Sequence, residues 1–136
     1  MPIEVLLADD SEPVRKAICR VLKSDDEIEI VAEAASFTQT MHLAAALRPH
    51  VIVMDLHMRD EAEVTPLQLK SSIGGSRLLA ISIWNDAAAK TLADSFGAVT
   101  LLDKVNLAVE LIPAIKRCAS DRQQTSSRGG NVLGII

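Results

Sequence analysis

The run Val51-Ile52-Val53-Met54 contains no polar residue and stops at a carboxylate, Asp55. So short an apolar run, unbroken rather than alternating, reads as a strand buried on both faces. Strands of that kind sit inside parallel sheets, whose neighbours are joined by crossover connections that are usually helices. The rest of the chain supplies both parts.

Short apolar runs recur and are separated by segments of helical period. "IEVLLA" at 3–8 reads as a first strand, and "IEIVAEA" at 28–34 as a second. "RLLAISI" at 77–83 is a fourth, and "AVTLL" at 98–102 a fifth. After the first strand, Val14, Ala17, Ile18, Val21 and Leu22 fall on one helical face, with Ser11 as cap and Pro13 in the first turn. After the second, Ser36 and Gln39 make a capping box, with Phe37, Met41, Ala44 and Ala45 as the inward stripe and Pro49 as the stop. Thr65 and Pro66 open a short helix that closes near Gly74. Asn85 is placed to cap an alanine-rich helix that ends before Gly97. The final helix carries Leu107, Leu111, Ala114, Ile115 and Cys118 on one face, with Pro113 bending it or leaving its first turns irregular. Five strands, each followed by a helix, make an α/β sheet clad on both sides. Residues 1–119 form this domain, and 120–136 read as a flexible tail or the start of a linker whose end, "NVLGII", is apolar again.

Composition narrows the function. The 136 residues suit one domain. Phe37, Trp84 and Phe96 are the only aromatic residues, so the core is aliphatic. A net charge of −4 with no basic stripe argues against direct nucleic-acid binding. Cys19 and Cys118 fit neither a disulfide framework nor a zinc site, and read as buried thiols. No signal peptide or membrane span is visible, so the expected setting is the cytoplasm. No glycine-rich turn follows the first strand, which argues against a dinucleotide enzyme.

Ligands of open α/β sheets bind beyond the carboxyl ends of the strands. Those ends hold Asp9 and Asp10, Asp55, Ser82, and Lys104 just past Asp103. Three carboxylates so close repel one another unless they are protonated or neutralised, and a hard divalent cation such as Mg²⁺ suits oxygen ligands. Lys104 can meet phosphate oxygens, Ser82 can donate to another, and Asp55 can act as a nucleophile.

The motifs "ADD" at 8–10, "MDLHM" at 54–58, "IS" at 81–82 and "FGAVTLLDK" at 96–104 resemble the receiver (CheY-like) domain of two-component response regulators. The wording "LRPHVIVMDLHM" is most similar to receivers of the NarL/FixJ-type DNA-binding regulators. The resemblance implies a doubly wound, flavodoxin-like sheet of strand order 2-1-3-4-5 with five helices. It makes Asp55 the phosphoacceptor for a histidine kinase or phosphotransfer protein. Asp10, Asp55 and the backbone carbonyl of His57 would hold Mg²⁺, with Asp9 acting through water. Ser82 and Lys104 would contact the phosphoryl group, Ser82 moving inward. Phosphorylation would then change partner binding or promote a homodimer. The chain would be a signalling domain rather than an enzyme, whether on its own or as the receiver of a longer transcription regulator.

Departures from that family bear on the switch. Arg59 stands where a proline is usual, and the glycine expected a few residues on is absent. Ile83, next to Ser82, is bulky enough to narrow the approach to Asp55. Leu101 occupies a switch position that is often aromatic, so the usual rotamer switch has no ring to turn. These motivate a rival reading, a binding module that works without phosphorylation. An aspartate-nucleophile phosphohydrolase is less well matched, since its D-x-D pattern would need an acid where His57 stands.

Overall fold

The computed structural model describes residues 2–120. The strands are β1 (Ile3–Ala8), β2 (Ile28–Ala34), β3 (Val51–Asp55), β4 (Arg77–Ser82) and β5 (Thr100–Asp103). They pair in parallel in the order β2-β1-β3-β4-β5, as the resemblance implies. Helices α1 (Glu12–Lys23), α2 (Phe37–Leu47), α3 (Pro66–Ile73) and α4 (Ala87–Ser95) connect them. A 3₁₀ turn at Lys104–Asn106 leads into α5, helical over 107–120. The irregularity expected near Pro113 thus falls before α5, and Pro113 lies within continuous helix. Apart from Ser120, the expected tail and its "NVLGII" end lie outside the described residues.

Every residue of β3 is buried, as its unbroken apolar run requires. Alternate side chains feed two cores. Val5, Leu7, Val53 and Ile81 pack beneath α1 and α5, against Ile18, Leu22, Leu111 and Ile115. Leu6, Ile52, Met54 and Leu78 face α2, α3 and α4. There Phe37 is fully buried and meets Phe96 with ring centroids 5.6 Å apart. Both cysteines are buried, and neither is in a disulfide among the described residues. No helix among the described residues is long and apolar enough to cross a membrane.

Local chemistry departs from expectation at several points. The inward face of α2 takes Thr40, whose hydroxyl donates to the Ser36 carbonyl at 2.7 Å, while Ala45 is exposed. A threonine that satisfies its hydroxyl within the helix buries as readily as an alanine. Ala17 of α1 is likewise exposed. The cap of α4 is Asp86, which accepts from the Ala89 N–H at 2.9 Å, and Asn85 lies one residue too early. This helix seats chiefly through the methyl groups of Ala89 and Ala93, with Leu92 half-buried. β5 starts two residues later than its apolar run suggests and reaches Asp103. Gly97 has φ +82°, a left-handed turn that glycine adopts without strain. Lys116 pairs with Asp25 at 2.9 Å and ties α5 to the turn before β2.

The capping box expected from Ser36 and Gln39 is half formed. Ser36 Oγ accepts from the Gln39 N–H at 3.0 Å, but the Gln39 side chain returns to the Ala35 N–H instead of that of Ser36. The first two amides of α2 are met from elsewhere, by Asp60.

Truncating the largest buried side chain tests the packing. Phe37→Ala should cost about 3–5 kcal/mol of unfolding free energy in a urea titration, with the fold retained.

Candidate functional site

The carboxyl ends of β1, β3, β4 and β5 open onto one rim. β1 delivers Asp9 and Asp10, β3 ends in Asp55, β4 in Ser82, and Lys104 follows β5. Asp9 is fully buried, Asp55 and Ser82 are nearly so, and Asp10 is half-buried. Ligand oxygens of Asp9, Asp10 and Asp55 all lie within 4.8 Å of one another. Contacts thus join five of the six positions expected from sequence, namely Asp9, Asp10, Asp55, Lys104 and His57, whose backbone N–H donates to Asp55 Oδ1 at 3.1 Å, while Ser82 stands at the adjacent end of β4.

One cation stands among these acids. Lys104 Nζ donates to Asp55 Oδ2 at 3.1 Å and lies 2.8 Å from Asp9 Oδ2. The Asp9 contact is a close ion pair between a buried carboxylate and a largely buried ammonium. Ser82 Oγ accepts from the Trp84 N–H at 2.9 Å, leaving its own hydrogen to donate outward.

Family comparison decides what kind of rim this is. The chain matches the response regulator receiver domain over residues 5–116. It belongs to that family. It is 31% identical to the transcriptional regulatory protein LiaR of Bacillus subtilis, the alignment covering 98% of this chain and 64% of that protein. It is 34% identical to a protein-glutamate methylesterase/protein-glutamine glutaminase of Anaeromyxobacter dehalogenans, over 81% of this chain and 32% of that one. The signal receiver domain of the putative response regulator NarL from Mycobacterium tuberculosis superposes with a TM-score of 0.78 at 27% identity, covering 88% of this chain and 97% of that one. The chain thus spans about a third of the length of the second of these relatives and about two thirds of the first. It is a receiver domain of the two-component type, a signalling module. Domains of this family interact with histidine kinases or phosphotransfer proteins.

The electrostatics of the receiver rim follow from burial and pairing. Desolvation pushes the pKa of Asp55 up, helped by the Asp9 charge, and outweighs the opposing His57 N–H and Lys104. For Lys104 desolvation acts downward, yet Asp9 and Asp55 together hold its pKa above the ordinary value. His57 is exposed and its ring meets Glu61 at 3.0 Å, away from the acids. Of the family departures, Ile83 is 62% exposed and lines a groove between α1 and α5, and Leu101 is half-buried on the opposite core.

Sequence reasoning missed Arg15. Its guanidinium donates to the Asp9 backbone carbonyl at 2.7 Å and to Glu33 of β2 at 3.2 Å, bracing the β1 tip from α1. The available signal was a basic residue one turn into a helix that starts beside two acids, with an acid near the end of the neighbouring strand.

Removing the cation should expose the repulsion. At pH 7, Lys104→Ala should lose roughly 2–3 kcal/mol, below the ~3–5 kcal/mol of a fully buried pair because the lysine side chain is 15% exposed. With its pKa raised, Lys104 gives its full stabilisation below the ordinary value of 10.5 and loses it only in more alkaline solution. Without that cation, Asp55 binds its proton more tightly still. The deficit of the variant in urea titrations should therefore shrink as pH falls through the raised Asp55 pKa, and Mg²⁺ should restore part of it at pH 7.

Proposed function

We propose that Asp55 is the phosphoacceptor of this receiver, taking a phosphoryl group from a phosphohistidine on a sensor histidine kinase or phosphotransfer protein. The observation that carries this is a single strand-end carboxylate held on both oxygens, Oδ1 by the His57 N–H and Oδ2 by the Lys104 ammonium. Held this way, it presents a fixed nucleophile. As the Asp55 oxygen bonds to phosphorus, the phosphorus–nitrogen bond of the donor breaks. The imidazole leaves with that electron pair and recovers a proton from solvent. Lys104 offsets charge on the phosphoryl oxygens, and the free hydrogen of Ser82 donates to one of them. Hydrolysis of the acyl phosphate resets the module, and this is the extent of the chemistry assigned to the chain.

Mg²⁺ is the cofactor assigned to the rim. Asp10, Asp55 and the His57 carbonyl would hold it, with Asp9 acting through water. The crowding of three carboxylates, whose ligand oxygens lie within 4.8 Å of one another, supports the fit. When bound, it supplies positive charge for the transferring phosphoryl group.

A groove of about 410 Å³ beside Lys104 supports the partner assignment. It is walled by Val14, Ala17 and Val21 of α1, by Ile83, and by Val105 and Ala108. An apolar helix of the donor would bring its histidine to the rim from this side. The setting is the cytoplasm, and the net charge of −4 keeps nucleic acid out of the direct partner list. Any DNA-binding output belongs to a longer protein, of which this would be the receiver.

A small acyl-phosphate donor should label the wild-type chain in the presence of Mg²⁺, and Asp55→Asn should lose the label. Equal labelling of that variant sinks the assignment. Leu101, lacking the aromatic ring of the usual switch, favours the rival, a phosphorylation-independent binding module. Sedimentation with and without a phosphoryl mimic separates the two. The receiver reading expects a shift toward dimer, and an unchanged monomer supports the rival.

A further inference from the structure

Between Asp55 and the 3₁₀ turn at Glu61–Glu63 lies a loop with an exposed Arg59 where the family usually has a proline. Its first half is well secured. The Leu56 N–H donates to the Ile81 carbonyl at 3.0 Å, and the side chains of Leu56 and Met58 are buried. Its far end is held by Asp60. An aspartate at the start of a 3₁₀ turn would ordinarily cap that turn, but its side chain makes no such bond. It reaches 23 positions back along the chain instead. Oδ1 accepts from the Phe37 N–H at 2.8 Å, and Oδ2 from the Thr38 N–H at 2.9 Å and the Thr38 hydroxyl at 2.8 Å.

These are the open amides of the first turn of α2, a helix with no acid of its own there. Each unmet N–H at a helix start seeks an acceptor, and the helix dipole favours a negative one. Partial burial works against the charged form of Asp60, but the Thr38 and Phe37 donors outweigh it and hold its pKa low. Without proline, the loop backbone has one constraint fewer on its φ angles. His57, three positions before Asp60, supplies the N–H that orients Asp55.

We infer that Asp60 is a positioning residue, tying the acceptor loop to the N-terminus of α2 and so holding the His57 backbone in register with Asp55. The inference deepens the phosphoacceptor reading and rests on it for its consequence. The tie fixes both the His57 N–H that steadies the carboxylate and the carbonyl assigned to Mg²⁺.

Four chains decide it: wild type, Asp60→Ala, Asp60→Asn and Ser36→Ala. The last removes a cap of the same helix without touching the loop, and so controls for helix stability. Three quantities are measured: amide exchange at His57 without metal, Mg²⁺ affinity from Trp84 fluorescence, and the melting temperature. Asp60→Ala should speed His57 exchange and weaken Mg²⁺ binding roughly tenfold, as loss of an outer support commonly does. Asp60→Asn keeps an accepting oxygen and should retain most of both properties. Ser36→Ala should lower the melting temperature alone. If Asp60→Ala does not fold, Thr38→Val removes only the hydroxyl of the tie and should move exchange and affinity the same way by less. Unchanged exchange at His57 in Asp60→Ala overturns the inference, as does an equal loss of Mg²⁺ affinity in Ser36→Ala. Absence of Mg²⁺ binding by wild type defeats the phosphoacceptor reading instead, and the exchange comparison then decides the tie alone.

Discussion

The ammonium of Lys104 between Asp9 and Asp55 is the interaction on which the rim depends. Two buried carboxylates at the tips of neighbouring strands would repel across a low-dielectric gap. A single lysine, delivered from the end of β5 two strands from β3 and three from β1, lies within 3.1 Å of an oxygen of each. Its position is a property of the sheet order. With β3 beside β1 and β5 outside β4, the residue after β5 reaches acids on both β1 and β3. The topology and the charge arrangement are therefore one fact seen at two scales.

The supports around the acids come from different elements and act on backbone. Arg15 braces the Asp9 carbonyl from α1, His57 offers its N–H from the loop after β3, and Asp60 anchors that loop to α2. Asp9 and Asp55 are thus supported by parts of the chain distant in sequence or separated by a turn. Such support keeps a crowded polar site in one geometry without covering it.

The strands were legible because burial on both faces leaves continuous apolar runs, and β1 and β2 match their runs to the residue. The rim was legible because parallel strands all end on the same side, so listing their last residues listed the site. What stayed hidden depends on partners elsewhere in the chain. Nothing local to Asp60 says that its carboxylate serves α2, because the adjacent 3₁₀ turn offers a nearer use for it. Arg15 looks like any polar residue on a helix surface until β2 brings Glu33 alongside. Asp86 displaced Asn85 as a cap, and Thr40 displaced Ala45 from the core, because cap and stripe rules leave one residue of play at each end.

The thin seating of α4 has a mechanical meaning. Two alanine methyls and a half-covered leucine give it little oily area to lose if it slides across the sheet. Bulkier knobs, such as the leucines and isoleucine that pin α5 on the other side, would make any comparable slip far more expensive. α4 is therefore lightly seated beside well-anchored neighbours, and it begins five residues beyond Ser82.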